Sequence, residues 1–370
     1  MSWMQTSLGE VVDLKRGFDL PASERVDGPY SVYSSSGQTG THTAPAVEGP
    51  CVITGRYGTI GNVYFSADAC WPLNTSLYST DFKGNNPRFV YHLLKMVPWR
   101  EYTTASAVPG INRNHVNLCP VRIPDLETQA AIAFILDSLG SKIAANAKLN
   151  GYLANAVDGL FEKALGQAEE KTLTDVVEIL SGGTPKTKIS EYWKDGEIPF
   201  FGPGDANGST YCLTTAKRIT QLGLENCNSG LYPVDTVFLT ARGTVGKVAM
   251  AGKPMAMNQS CFAFRGLGVS QPAVYQIIKR AVRSLRAKAN GATFAAINTR
   301  DLKIETILFP SDEELTAFEE EAALLHSMMR TNEEESLKLS SLRDALLPKL
   351  MSGEIDVSKV DLTQLNSHLV

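Results

Sequence analysis

The sequence predicts an α+β chain: two β-rich domains separated by two long helices packed as an antiparallel coiled coil, the whole forming an internal pseudo-two-fold repeat. Three observations carry this. First, the chain repeats itself in order and at nearly constant offset. "RYGTIGNVYF" (Arg56–Phe65) returns as "RGTVGKVAM" (Arg242–Met250), with Gly58 and Gly243 185 residues apart. "LNTSLY" around Asn74 resembles "MNQSCF" around Asn258 at 184, and "PGINRNHVNL" resembles "AAINTRDLKI" at 186, where Pro124 also meets Pro310. Second, the first part of each copy is rich in Gly, Pro, Thr and aromatics, broken by turn signals such as "DG", "SSSG", "DANG" and "NSG", which read as short strands. Third, the second part of each copy shows a heptad pattern of apolar residues.

In chain order, residues 1–124 form the first β-rich domain, with one helix expected near "RFVYHLLKM". After Pro124, Asp125 is a good N-cap, with Thr128 and Gln129 in the first turn. The helical segment 125–170 then carries Ile132, Leu139, Leu153 and Leu160 in one register and Leu136, Ile143 and Val157 in a second. Residues 171–310 form the second β-rich domain, with a helix near "AVYQIIKRAVRSLRAKA". In 311–370, Ser311 with Glu314 makes a capping box, and Phe318, Leu325, Leu339 and Leu346 repeat the first register beside Ala322, Met329 and Leu350. Asn146 fills a seam position of the first helix and Asn332 the same position of the second. A lone polar seam residue lowers stability but fixes register and partner. The two helices are therefore expected to pair with each other, the asparagines helping to set the alignment or, alternatively, facing solvent. A helix of ~35 residues spans roughly 50 Å.

The net charge of -4 argues weakly against nucleic acid, but the charge is unevenly spread. Residues 1–124 carry +1 and 171–310 carry +7, whereas 125–170 carry -4 and 311–370 carry -8. No unbroken apolar run reaches the ~20 residues of a membrane span, and the start lacks the order of a signal peptide, so the cytoplasm is the expected compartment. The six cysteines are scattered without Cys-x-x-Cys pairs or histidines at ligand spacing, so a metal site is not expected and reduced thiols are.

No Walker A, His-Glu-x-x-His or Gly-x-Ser-x-Gly motif is present, which leaves no catalytic constellation to name. "FFGPG" (Phe200–Gly204) fits the Phe-x-Gly-x-Gly pattern of adenosylmethionine loops, but no helix-forming stretch follows and it reads better as a turn between strands. The Gly-Thr-x-Gly pair resembles the nucleotide-clamping loop of KH domains, yet that loop joins helices. Here the flanks are extended, and a glycine-permitted hairpin or bulge fits better. Arg56 and Arg242 beside it remain candidates for phosphate contact.

A family resemblance rests on "LSGGTPKTKISEYWKDGEIPFFGPGDANG", "ARGTVGKV", "MNQS", "INTRDLKI" and "LRDALLPKLMSGEI", and in the first copy on "VPGINRNHVNLCPVRIPDLETQAAIAFILDSL". Together they resemble the specificity (S) subunit of type I restriction-modification systems over essentially the whole chain. The resemblance implies target-recognition domains at 1–124 and 171–310, each binding one half of a bipartite, asymmetric double-stranded DNA target. The helical spacers 125–170 and 311–370 would set the gap between halves and dock two modification (methyltransferase) subunits. It implies no catalysis in this chain, S-adenosylmethionine only in the modification subunits, and a restriction/translocase subunit as a further partner. On this reading the candidate DNA contacts are Lys15, Arg16, Ser34, Ser35, Arg56, Tyr57 and Arg113 in the first copy, and Lys186, Lys188, Arg242 and Arg300 in the second. Lys279, Arg283 and Arg286 share one helix face that either meets phosphate or is simply wet. Two other classes stay open: a DNA methyltransferase or nuclease acting alone, revealed by methyl transfer without partners, and a coiled-coil scaffold with protein-binding domains, which lacks salt-dependent DNA binding.

Overall fold

The computed structural model describes residues 3–103, 110–288 and 296–360. Val108, Pro109, Ala289 and Ala295 of the motifs quoted above lie outside them. Packing divides the chain into two units, Met1–Ile143 with Lys338–Val370, and Ala144–Leu337. Each is described by itself.

In the first unit the strands are β1 (Met4–Ser7), β2 (Asp13–Arg16), β3 (Tyr30–Ser34), β4 (Gly37–His42), β5 (Cys51–Gly55), β6 (Val63–Ser66), β7 (Cys70–Pro72), β8 (Ser76–Asp81) and β9 (Pro120–Ile123). Helices α1 (Pro87–Met96) and α2 (Arg113–Val116) precede β9, and α3 (Leu126–Ala164) follows it, its residues from Ala144 on belonging to the second unit. The second unit adds β10 (Glu169–Thr172), α4 (Leu173–Val176), β11 (Val177–Ser181), β12 (Ile198–Phe201), β13 (Tyr211–Cys212), β14 (Arg218–Ile219), α5 (Gln221–Glu225), β15 (Val237–Thr240), β16 (Val248–Ala251), β17 (Ala256–Met257), β18 (Cys261–Gly266), α6 (Gln271–Lys288), α7 (Thr299–Lys303), β19 (Thr306–Phe309) and α8 (Asp312–Ser352), whose residues from Lys338 on belong to the first unit.

The predicted repeat is present element by element. An antiparallel sheet of order β2-β8-β5-β6 recurs as β11-β18-β15-β16, with β13 added parallel to β16. A smaller sheet β4-β3-β7 recurs as β14-β12-β17, each with one parallel pair. The pair β1-β9 recurs as β10-β19. The central strands "CVITG" and "VFLT" are buried along their whole length, as strands covered on both faces must be. "FFGPG" ends β12, and both phenylalanines are core residues, so the turn reading holds.

Helix α1 starts where Asn86 accepts from the amides of Arg88 (2.9 Å) and Phe89 (3.1 Å), with Pro87 at its first position. It buries Phe89, Val90, Leu93 and Leu94. Arg88 and His92 both bond Asp137 on α3, at 2.6 and 2.8 Å. Burial pushes the Asp137 carboxyl up, but the bonds from His92 and Arg88 outweigh it and hold it below the usual range.

The long helices pair antiparallel in each unit. In the first, Ile132, Ala133 and Leu136 of α3 share a core with Leu346, Leu347 and Leu350 of α8. In the second, Asn146 donates to the Asn332 carbonyl (3.4 Å) and Glu335 (2.6 Å), while Asn150 donates to the Met329 carbonyl (3.0 Å). Numbers rise on one helix as they fall on the other. The two asparagines do not meet side chain to side chain: the Asn332 amide reaches Asn150 instead, at 2.8 Å. Leu126–Gln167 contains an 18-residue window of mean hydropathy 1.2, apolar enough by length and composition to match a membrane span. Unbroken runs miss it because Ser, Lys and Asn interrupt the stretch. Its apolar side chains Ile132, Leu136, Val157 and Phe161 lie in the two protein cores.

His326 of α8 sits at 2% exposure between Tyr211 and Tyr275, its Nδ1 3.3 Å from the Tyr211 hydroxyl. Burial, aided by Lys279, lowers its pKa to about 4. Between that value and the ordinary 6.5 of an unfolded histidine, the unfolded chain binds the extra proton, so stability falls as pH drops through this window. The loss expected from this one group is roughly 3 kcal/mol. Denaturant unfolding at pH 6.5 and 4.5 should show a smaller drop for His326→Phe than for the unaltered chain; equal drops would contradict a neutral buried imidazole.

Candidate nucleic-acid interface

Gly-Thr-x-Gly is the loop of a β-hairpin in both copies, joining β5 to β6 and β15 to β16. Its glycines take positive φ, 77° and 96° at Gly58 and Gly61, 77° and 78° at Gly243 and Gly246, which side chains with a β-carbon rarely adopt. The loop is clamped alike in both. The Thr75 carbonyl accepts from the amides of Arg56 (2.8 Å) and Tyr57 (3.1 Å), and the Ser260 carbonyl from Ala241 (2.8 Å) and Arg242 (3.2 Å). The Arg56 carbonyl accepts from Ile111 and that of Ala241 from Ile297, both at 3.0 Å.

These bonds bear out the 185-residue offset of the loop. Arg242 stands where the first copy has Tyr57, and Arg56 corresponds to Ala241. One pairing made from sequence shifts: Leu73, not Asn74, corresponds to Asn258, since a β-carbon on Gly17 would lie 2.3 Å from the Leu73 carbonyl oxygen and one on Gly182 2.1 Å from that of Asn258. The slip arose because an identical residue type stands one position away.

The first copy brings Arg16, Arg56, Tyr57 and Arg113 together around one cavity of about 460 Å³, with Asn112 and Asn114. Arg16, at the end of β2, pairs with Asp19 at 3.2 Å. The Arg56 guanidinium lies 4.6 Å from the Tyr57 ring centroid, a cation–π distance. Arg113 begins α2 and donates to the Leu14 carbonyl at 3.3 Å. Ser35 packs beside the loop, its β-carbon 3.1 Å from where one on Gly55 would stand. Lys15 precedes Arg16 on β2 and projects to the other face of the strand, and the Ser34 hydroxyl bonds Ser36 and the Gly37 carbonyl at the β3–β4 turn.

In the second copy Arg242 and Arg300 are exposed near the same loop, Arg242 bridging to Ala296 and Arg300 within α7. Lys186 and Lys188 lie apart from them, in the exposed loop after β11, where the Lys186 carbonyl accepts from the Trp193 indole at 3.3 Å.

The family described as Type I restriction modification DNA specificity domain matches residues 1–153 and 166–341. The chain belongs to this family. Among curated relatives, it is 34% identical over 152 residues to the type I restriction enzyme MjaIX specificity subunit of Methanocaldococcus jannaschii, covering 39% of this chain and 34% of that protein. It is 27% identical over 198 residues to the HindI specificity subunit of Haemophilus influenzae, covering 50% and 41%. The chain thus spans well under two thirds of the length of these relatives. The crystal structure of a type I restriction-modification system S subunit from M. genitalium shares the fold, with a TM-score of 0.60 at 17% identity over 95% of this chain and 96% of that one.

Within this specificity-family fold the basic face of α6 is partly wet, with Arg283 and Arg286 exposed, yet each of its three basic side chains has a protein partner. Lys279 bonds Asp158 of α3 at 2.5 Å, Arg283 approaches the same carboxylate at 3.9 Å, and Arg286 donates to the Val245 carbonyl at 2.6 Å. The face opposite buries Ile278 and Val282 as expected. Reading from sequence missed Trp193, Lys217 and Arg218, which with Thr187 line a second cavity of about 350 Å³, the Lys217 ammonium 5.6 Å from the Trp193 ring. The available signal was an aromatic residue interleaved with basic pairs, "YWK" and "AKRI", in turn-rich loops.

Proposed function

We propose that the chain is the non-catalytic DNA-recognition subunit of a type I restriction-modification assembly in the cytoplasm. Residues 1–124 and 171–310 act as target-recognition domains, each reading one half of a bipartite, asymmetric duplex. The helical segments 125–170 and 311–370 set the unread spacer and hold two modification subunits, which bring S-adenosylmethionine and methylate adenine; a restriction/translocase subunit joins for cleavage. One observation carries the reading: a single β-sheet frame occurs twice, with different side chains on its loops. Base edges are read by such loop side chains, so two unlike loop sets suit two unlike half-sites. The family to which the chain belongs supports recognition over catalysis.

Lys15, Arg16, Ser34, Ser35, Arg56, Tyr57, Arg113, Lys186, Lys188, Arg242 and Arg300 are the proposed DNA contacts, joined by Trp193, Lys217 and Arg218. The polar layer around Asn146 and Asn332 fixes the alignment of α3 against α8.

Co-expression with the modification subunit, followed by mapping of methylated adenines, should return one split motif, and exchange of residues 171–310 for those of a family relative should change one half only. A change in both halves contradicts the modular reading. Replacing Asn146 and Asn332 by Leu should leave stability unchanged or raise it by roughly 1 kcal/mol. Spin labels at the exposed positions Lys148 and Met328, with Cys227 removed, should then give a broadened distance distribution. A distribution as narrow as that of the parent would show that the asparagines do not set the register.

A further inference from the structure

We propose that the cavity bounded by Arg16, Arg56 and Arg113 is a phosphodiester site: it grips one backbone phosphate of the duplex, and the second copy has no counterpart of it. The proposal rests on the DNA-recognition reading and deepens it. Three guanidinium groups reach the cavity from the end of β2, the β5–β6 loop and the start of α2, and no carboxylate lines it among the described residues. Clustered like charges repel, and an anion relieves this most directly; arginine's planar fork suits phosphate oxygens. Asp19 offsets part of Arg16. Arg56 and Arg113 are held by a ring face and a backbone carbonyl respectively, both of which leave donors over for a ligand. Pre-positioning lowers the entropy lost when the anion arrives. Asn112 and Asn114 add neutral polar groups on the same wall. A cavity of about 460 Å³ exceeds a lone phosphate and has room for the flanking sugars.

The repeat supplies an internal control. Arg16 pairs across the sheet with Leu77 as Ser181 pairs with Phe262, so Ser181 is its counterpart. Arg56 corresponds to Ala241 through the shared loop clamp. Arg113 follows the helix-capping Asn112 as Thr299 follows the capping Asn298. The same backbone therefore forms with Ser, Ala and Thr at these places, and the fold does not require the arginines. Their convergence also answers a charge problem. Residues 1–124 carry only +1, against +7 for 171–310, so the first copy cannot rely on a diffuse field to hold DNA. It concentrates its grip in one pocket, while the second spreads its positive charge over loops, strands and the helices α6 and α7.

The test uses the full chain and a mixed-sequence 30-base-pair duplex, with binding followed by anisotropy over a salt series. The combined variant Arg16→Gln, Arg56→Gln, Arg113→Gln should bind about tenfold more weakly and lower the slope of log K against log salt by about one, the signature of one lost phosphate contact. A charge-matched variant, Lys83→Gln, Lys95→Gln, Arg100→Gln, should leave the slope unchanged. Equal slopes in parent and pocket variant, or equal losses in both variants, overturn the pocket. In parallel, inorganic phosphate is titrated while arginine side-chain NMR signals are followed. Saturable shifts of Arg16, Arg56 and Arg113 support the site even where the parent fails to bind duplex, an outcome that would sink the DNA-recognition reading alone; no shifts would overturn the phosphate site itself.

Discussion

Everything proposed for the two loop surfaces depends on one carbonyl in each copy. The oxygen of Thr75, and of Ser260 in the second copy, accepts two successive amides from the incoming edge of the Gly-Thr-x-Gly loop, while the carbonyl next to them accepts from Ile111 or Ile297. Buried backbone groups must be paired, and here the pairing ties three stretches of chain together at one point. The strand end, the hairpin loop and the segment leading into α2 or α7 cannot move independently. Loop side chains mounted on this junction can vary freely, because the bonds that hold it are all main chain. That is the physical basis for one frame carrying two different loop surfaces.

What was legible in the sequence followed from periodicity and repetition. The heptad residues Ile132, Leu136, Phe318 and Met329 announced the helices and their buried seams, and the caps at Asp125 and Ser311 marked where they begin. Asn146 was visible as a gap in one register. Asn150 stands in the gap of the other, between Ile143 and Val157, and completes the polar layer with Ser336, which accepts from Asn146 at 3.3 Å. Judging the registers separately hid this, since only the pairing of helices shows that both gaps share one layer. The Asn74–Asn258 pairing failed for a related reason. Residue identity favoured a match that backbone contacts place one position off. The basic face of α6 was legible as a face, but its partner, Asp158, lies 121 residues earlier in the chain than Lys279, and no local pattern connects them.

The convergence of Arg16, Arg56 and Arg113 belongs to the same class. Each was identifiable as a basic residue in or beside a loop, but only the sheet order β2-β8-β5 and the Ile111 clamp bring the three to one cavity. The divergence between copies is then chemical rather than architectural. Where the first has Arg16, Arg56, Tyr57, Arg113 and Asn114, the second has Ser181, Ala241, Arg242, Thr299 and Arg300. Charge moves by one position at the loop and at the short helix and is lost at Ser181, around a fixed backbone, which changes where donors point without disturbing the core. On the proposed reading, such exchanges allow a duplicated domain to acquire a second specificity at little cost in stability, because surface substitutions away from caps and cores are usually within about 0.5 kcal/mol.

The central claim is that two separate surfaces of one chain read two separate stretches of a duplex. Missing-base interference tests it most directly, using the assembled complex on a duplex that carries its methylated motif, with single bases removed in turn. The account predicts two clusters of essential bases flanking a stretch whose removal is neutral, with substitutions in 171–310 altering sensitivity in one cluster alone. A single unbroken run of essential bases would contradict it.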